Sequence, residues 1–79
     1  MKVALALFAS LSHFQPDGRG GREAREVDVP DGLTIGGYID VLGLPDEPRI
    51  IFVNGRHAEE STSLHAGDRL AIFPPVAGG

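Results

Sequence analysis

The chain opens on an alternation. Val3, Leu5, Leu7 and Leu11 are large and apolar, while Lys2, Ala4, Ala6 and Ser10 are small or polar. Period two is the pattern of a strand with one face in a core, and it predicts a first strand over residues 2–12. Phe8 departs from the pattern; it has the parity of Ala4 and Ala6, so its ring is expected to point away from the core. One lysine, a short apolar run and small residues after it also sketch a secretory leader. The run is far too short to span a bilayer, and its alternation favours a strand. The expectation is a cytoplasmic protein.

Further elements follow from local chemistry. Gln15 to Arg22 is a turn-rich segment with Pro16-Asp17-Gly18 as its clearest signal. Glu23 to Val29 predicts a second strand, antiparallel to the first, with Ala24, Val27 and Val29 as core candidates. After Pro30-Asp31-Gly32, Thr34 is a good helix N-cap. Ile35, Tyr38, Ile39 and Leu42 then fall on one helical stripe. Gly36 and Gly37 weaken that first turn by roughly 1 kcal/mol each against alanine. Gly43 fits the position past the helix end, and Pro45 prevents resumption.

Arg49 to Asn54 predicts a third strand closed by the tight-turn pair Asn54-Gly55. His57 to Ala66 is a polar connection with room for one short element, and Gly67-Asp68 is a further turn. Arg69 to Phe73 is the last strand; Pro74 and Pro75 carry no N–H and end its pairing. The order describes an α+β domain in which one amphipathic helix covers one face of a small mixed sheet.

Composition removes several function classes. The 79 residues carry 7 Lys and Arg against 11 Asp and Glu, a net charge of −4 with neutral histidine. That disfavours nucleic acid, since neutralising phosphates needs a basic face. An apolar content of 42 % suits a folded domain rather than a disordered chain. The sequence has no cysteine, which excludes disulfides, thiolate metal sites and a cysteine nucleophile. His13, His57 and His65 lie apart without metal-ligand spacing, so no bound metal is expected. The serines form no nucleophile elbow. The pairs Asp46-Glu47 and Glu59-Glu60 read as surface charge. Arg19, Arg22 and Arg25 are interleaved with Glu23 and Glu26, and the glycine-rich Gly18–Gly21 loop lacks the Lys-Ser/Thr ending of a phosphate loop. The chain is therefore not expected to be a catalyst by itself, and a domain this small has little room for a deep pocket.

The informative feature is the end. At a glycine frequency of about 7 %, two terminal glycines arise by chance in roughly 0.5 % of chains, and in about 2 % at this chain's richer content. A strand runs into Phe73-Pro74-Pro75 and the chain stops four residues later, at Val76-Ala77-Gly78-Gly79. The prolines stiffen the exit, and the glycines remove side-chain bulk where a chain end would enter a narrow channel. Residues 1–75 are expected to be the folded domain and 76–79 a flexible tail.

Phe73-Pro74-Pro75-Val76-Ala77-Gly78-Gly79, preceded by Ala66-Gly67-Asp68-Arg69-Leu70-Ala71-Ile72, resembles the ending of the small subunit of molybdopterin synthase. That subunit belongs, with the thiamine-pathway carrier ThiS, to the ubiquitin-like sulfur carriers. The opening Lys-Val-x-Leu-x-Leu-Phe-Ala pattern, the Thr34–Gly43 helix and the Val53-Asn54-Gly55 turn extend the resemblance along the chain. It departs mainly in the loop at residues 17–21 and at Gly36-Gly37.

The resemblance implies a β-grasp fold. It also implies that a partner activating enzyme, using ATP and magnesium, adenylates the Gly79 carboxylate, and that sulfur displaces AMP to leave a thiocarboxylate. The carrier then docks on the large subunit of molybdopterin synthase and gives its sulfur to a pterin precursor, for a molybdenum or tungsten cofactor. No cofactor is bound by the carrier itself. The residues agree: without cysteine, carried sulfur must sit on the terminus.

Strand parity puts Phe8 and Phe73 on the outer face of the sheet. By resemblance Ile51 is placed beside them and Leu64 is added, so Phe8, Ile51, Leu64 and Phe73 are expected to form an apolar docking patch. Two other readings keep the fold: a protein modifier joined to target lysines through Gly79, and a sulfur carrier for thiamine or cysteine synthesis. An interaction domain whose terminal glycines are accidental is a third.

Overall fold

The computed structural model describes residues 1–16 and 24–75. Its strands are β1 (Lys2–Leu7), β2 (Arg25–Asp28), β3 (Ile50–Val53), β4 (Arg56–His57) and β5 (Arg69–Phe73), with one α-helix, α1 (Ile35–Leu42). The five strands form one mixed sheet in the order β2-β1-β5-β3-β4. β1 and β5 run parallel at its centre, and the other neighbours are antiparallel. This is the β-grasp arrangement.

The inner face is built by strand parity. Val3, Leu5 and Leu7 of β1 meet Leu70 and Ile72 of β5, with Leu5 opposite Leu70 and Leu7 opposite Ile72. Ile35, Tyr38 and Ile39 of α1 join them in the core, and Leu42 packs at its edge. Val29 is fully buried, Val27 and Ala24 partly so. Burying such side chains contributes about 1.5–3 kcal/mol each.

The first strand is shorter than its alternation suggests. β1 stops at Leu7, and Ala9–Phe14 form a 3-10 helix. Ala9 turns the chain with a left-handed φ of 51°, and the Leu11 amide donates to the Phe8 carbonyl at 3.0 Å. Leu11 is buried as the strand reading expects, but by a three-residue turn and not by a longer strand. Phe8, Leu11 and Phe14 are spaced by threes, which is the signal that distinguishes the two. Behind this turn the buried Gln15 amide donates to the Leu5 carbonyl at 3.1 Å, bonding β1 just past the end of β2.

Helix α1 begins and ends as its sequence requires. Thr34 Oγ1 accepts from the Gly37 amide at 3.0 Å, and Gly43 closes the helix with φ of 74°. Its remaining free amides are bonded by a distant segment: Ile35 donates to Thr62 and Gly36 to Glu60, both at 2.8 Å. That contact explains Gly36. A Cβ on Gly36 would stand 3.2 Å from the Glu60 carbonyl oxygen, and one on Gly37 would stand 2.7 Å from Leu33 Cδ1. Glu60 also pairs with the largely covered Arg49 at 3.0 Å, so it is a strap residue and not mere surface charge.

Thr34→Ala should therefore cost about 1 kcal/mol of unfolding free energy. Gly36→Ala should bring none of the roughly 1 kcal/mol gain that alanine gives in an open helix. Urea denaturation of the two variants checks both, and a Gly36→Ala protein more stable than the parent would contradict the strap.

Candidate docking face and chain exit

The site is the open face of the sheet where β5 ends. Register gives its composition: on β5 Ala71 and Phe73 point opposite to Leu70 and Ile72. Phe73 pairs with Ile50 and Ala71 with Phe52. Phe8 follows β1 on the same side, its amide donating to the Ile72 carbonyl at 3.2 Å. The rings of Phe8 and Phe73 stack with centroids 4.2 Å apart and planes at 10°. Phe52 meets Phe73 edge-on at 5.9 Å, and His57 meets Phe52 edge-on at 5.6 Å. Such pairs contribute about 0.5–1.5 kcal/mol beyond area burial, so the ridge is rigid as well as apolar.

A shallow cleft lies on each side of the ridge. One, of about 470 Å³, is lined by Ala9, Ile50, Pro74 and Pro75 together with the three phenylalanines. The other, of about 280 Å³, has Gly55, Arg69 and Ala71 beside the same rings. A groove of about 510 Å³ runs between β2 and α1, past Val27, Tyr38 and Val41, away from the chain exit.

Two of the four expected patch residues are on this face. Phe8 and Phe73 are half-buried against each other. Ile51 is not there: it pairs with Ile72 and lies in the core at 4 % exposure. Leu64 is in the core as well, at 2 %. Its amide donates to the Leu33 carbonyl at 2.9 Å, so the strap that bonds the start of α1 draws it inward. Ile50 and Phe52 take their places. The run Ile50-Ile51-Phe52-Val53 is apolar on both faces, so alternation alone assigns no side; the register with β5 does.

Pro74 and Pro75 lie where expected, at the end of β5 and against the larger cleft. Val76, Ala77, Gly78 and Gly79 lie outside the described residues, as does most of the glycine-rich loop.

Proton chemistry is perturbed elsewhere. Asp28, through its hydrogen bond and charge, raises the pKa of Lys2, and Lys2 lowers that of Asp28 in return. Burial raises the Tyr38 phenol. Among the described residues no three histidine, aspartate or glutamate side chains gather as a metal site, and no helix is long and apolar enough to cross a membrane.

A face that is apolar, built around stacked aromatics and continuous with the exit at Pro74-Pro75 can grip a partner. The sequence model of the ThiS family matches residues 7–79. The chain belongs to the ThiS family. Its fold is shared with SAMP1 of Haloferax volcanii at 30 % identity and a TM-score of 0.70, over 100 % of both chains. A Pyrococcus furiosus chain assigned as molybdopterin converting factor, subunit 1, aligns at 24 % identity and a TM-score of 0.69, over 95 % of this chain and 98 % of that one. The ubiquitin of Caldiarchaeum subterraneum aligns at 18 % and 0.57, over 100 % of this chain and 98 % of that one. The last two show the fold alone. No curated protein matches in sequence. Membership of the ThiS family makes this chain a ubiquitin-like sulfur carrier or modifier.

The parity of β3 has a direct check. Ile51→Ala should cost about 2–5 kcal/mol in urea unfolding, as for other buried isoleucines. Ile50→Ala, on the half-open face, should cost clearly less, and equal losses would contradict the assigned register.

Proposed function

We propose that this ThiS-family chain is a sulfur carrier for molybdopterin synthesis, and that Gly79 is its reacting residue. A Gly79 carboxylate oxygen attacks the α-phosphorus of ATP in a magnesium-dependent activating enzyme, and pyrophosphate leaves. A sulfur nucleophile then attacks the acyl carbon of the mixed anhydride, and AMP leaves, giving the thiocarboxylate. The carrier docks on the large subunit of molybdopterin synthase, where the sulfur passes to a pterin precursor and the carboxylate returns.

The observation that carries this reading is the continuity of the aromatic ridge with the exit at Pro74-Pro75. A partner seated on Phe8, Ile50, Phe52 and Phe73 has the exit at Pro74-Pro75 beside it. Two prolines limit the freedom that must be lost on docking. Val76, Ala77 and Gly78 are small, and Gly79 puts no Cβ next to the attacked carbonyl. In this reading the activation chemistry belongs to partners.

A second reading is favoured by the match to SAMP1, a small archaeal modifier protein, over the whole chain. Both readings need an activated Gly79 and differ in the nucleophile, sulfur in one and a target lysine in the other. Lys2 is the single lysine of the chain, and its amine is held by Asp28 at 2.8 Å. A modifier of this sequence would serve for single attachment and not for branched chains through itself.

Intact-mass spectrometry separates these outcomes. With the adenylating enzyme of the same source, ATP and magnesium, the carrier reading expects an AMP adduct. Adding a sulfur donor should convert it to a sulfur-for-oxygen exchange, and removing Gly79 should abolish both. Gly-Gly remnants on lysines of other proteins, without any thiocarboxylate, would overturn the carrier reading in favour of the modifier.

A further inference from the structure

The sheet has an open edge at β2. Val29 and Met1 are bonded to each other twice, the Val29 amide donating to the Met1 carbonyl at 2.8 Å and the Met1 amine to the Val29 carbonyl at 2.7 Å. Antiparallel bonding alternates from there, so Val27 and Arg25 bond β1 while the main-chain N–H and C=O of Glu26 and Asp28 turn outward. Those outward groups have no main-chain partner among the described residues. The groove of about 510 Å³ between β2 and α1 opens along the same edge.

Three features of this edge specify its occupant. The outward N–H and C=O groups match another extended backbone, which would join the sheet as a further strand. The groove wall of Val27, Tyr38, Val41 and Leu42 takes apolar side chains, and Val41 is left open at 68 % exposure. Glu26 and Asp28 stand on the face of β2 opposite to Val27. Asp28 is held by Lys2, whereas Glu26 is exposed and forms no ion pair among the described residues. Opposite charges on neighbouring strands attract, so the residue set against Glu26 is basic and its two neighbours, which point into the groove, are apolar. The net charge of −4 favours the same kind of partner.

A second copy of the chain is a poor occupant. Directly opposite residues share a face of a sheet, so the two registers that overlap most of β2 set Glu26 against its own copy or against Asp28. Like charges so placed destabilise the pairing. We propose that the β2 edge and its groove bind an extended segment of another protein in which apolar and basic residues alternate. The groove lies on the helix side of the sheet and β2 is two strands from β5. A segment bound there leaves the aromatic ridge and the exit at Pro74-Pro75 open, and the inference holds for either nucleophile at Gly79.

The test titrates the full chain with a short fluorescent peptide of alternating valine and lysine. Glu26→Lys should weaken binding about tenfold, as attraction becomes repulsion, and should improve binding of the matching valine–glutamate peptide. Val41→Ser should weaken binding of both peptides, while thermal unfolding of each variant stays near the parent. In hydrogen exchange the Glu26 and Asp28 amides should gain protection on binding, and the Arg25 and Val27 amides, already bonded to β1, should not change. No binding at millimolar peptide overturns the proposal. So does binding that neither substitution alters, or protection gained along the aromatic ridge instead. A free chain that sediments as a dimer with its Glu26 and Asp28 amides already protected overturns it in favour of a second copy.

Discussion

The parallel pairing of the first and last strands organises the molecule. Parallel neighbours cannot be joined by a tight hairpin, so placing β5 beside β1 makes the rest of the chain the connection between them. The consequence is mechanical. The last strand lies at the centre of the sheet, paired on both edges. Leu70 and Ile72 are fully buried against Leu5 and Leu7. The segment that leaves at Pro74 therefore departs from the most constrained part of the fold. The exit at Pro74-Pro75 thus has a defined origin.

The same strands divide the work between two faces. On β1 the large residues Val3, Leu5 and Leu7 point inward to the helix, and alanines point outward until Phe8. On β5 the inward pair is Leu70 and Ile72 and the outward pair Ala71 and Phe73. Small residues on the outer face leave a floor, and phenylalanines raise a ridge at the exit end. In the proposed function, stability sits on one side of the sheet and recognition on the other. Substitutions on the ridge can alter docking at less cost to the core, although the stacked Phe8 and Phe73 contribute to both.

Local chemistry made much of this legible from the sequence. The Thr34 cap, the stripe Ile35-Tyr38-Ile39-Leu42 and Gly43 outline α1 because each acts within a turn or two. Asn54 and Gly55 both adopt the positive φ, 53° and 79°, that their tight turn demands. What stayed hidden depends on partners distant in sequence. The side on which Ile51 falls is set by pairing with Ile72, and Leu64 is buried by a segment that bonds the start of the helix. Gly36 reads locally as a defect, yet the Glu60 backbone, 24 residues on, occupies the space of a side chain. Family resemblance supplied the proposed reactive end, but it put Ile51 and Leu64 on a face that the register does not give them.

The central claim is that the terminal carboxylate is the reacting group and the folded body its handle. A semisynthetic chain ending in a Gly79 carboxamide tests it most directly. The amide keeps the ridge, the prolines and the shape of the tail but lacks the oxyanion that attacks ATP. The account expects this form to compete with the parent for the activating enzyme while taking up no AMP and supporting no sulfur transfer. Sulfur transfer by the amidated chain at a rate like the parent's would contradict it.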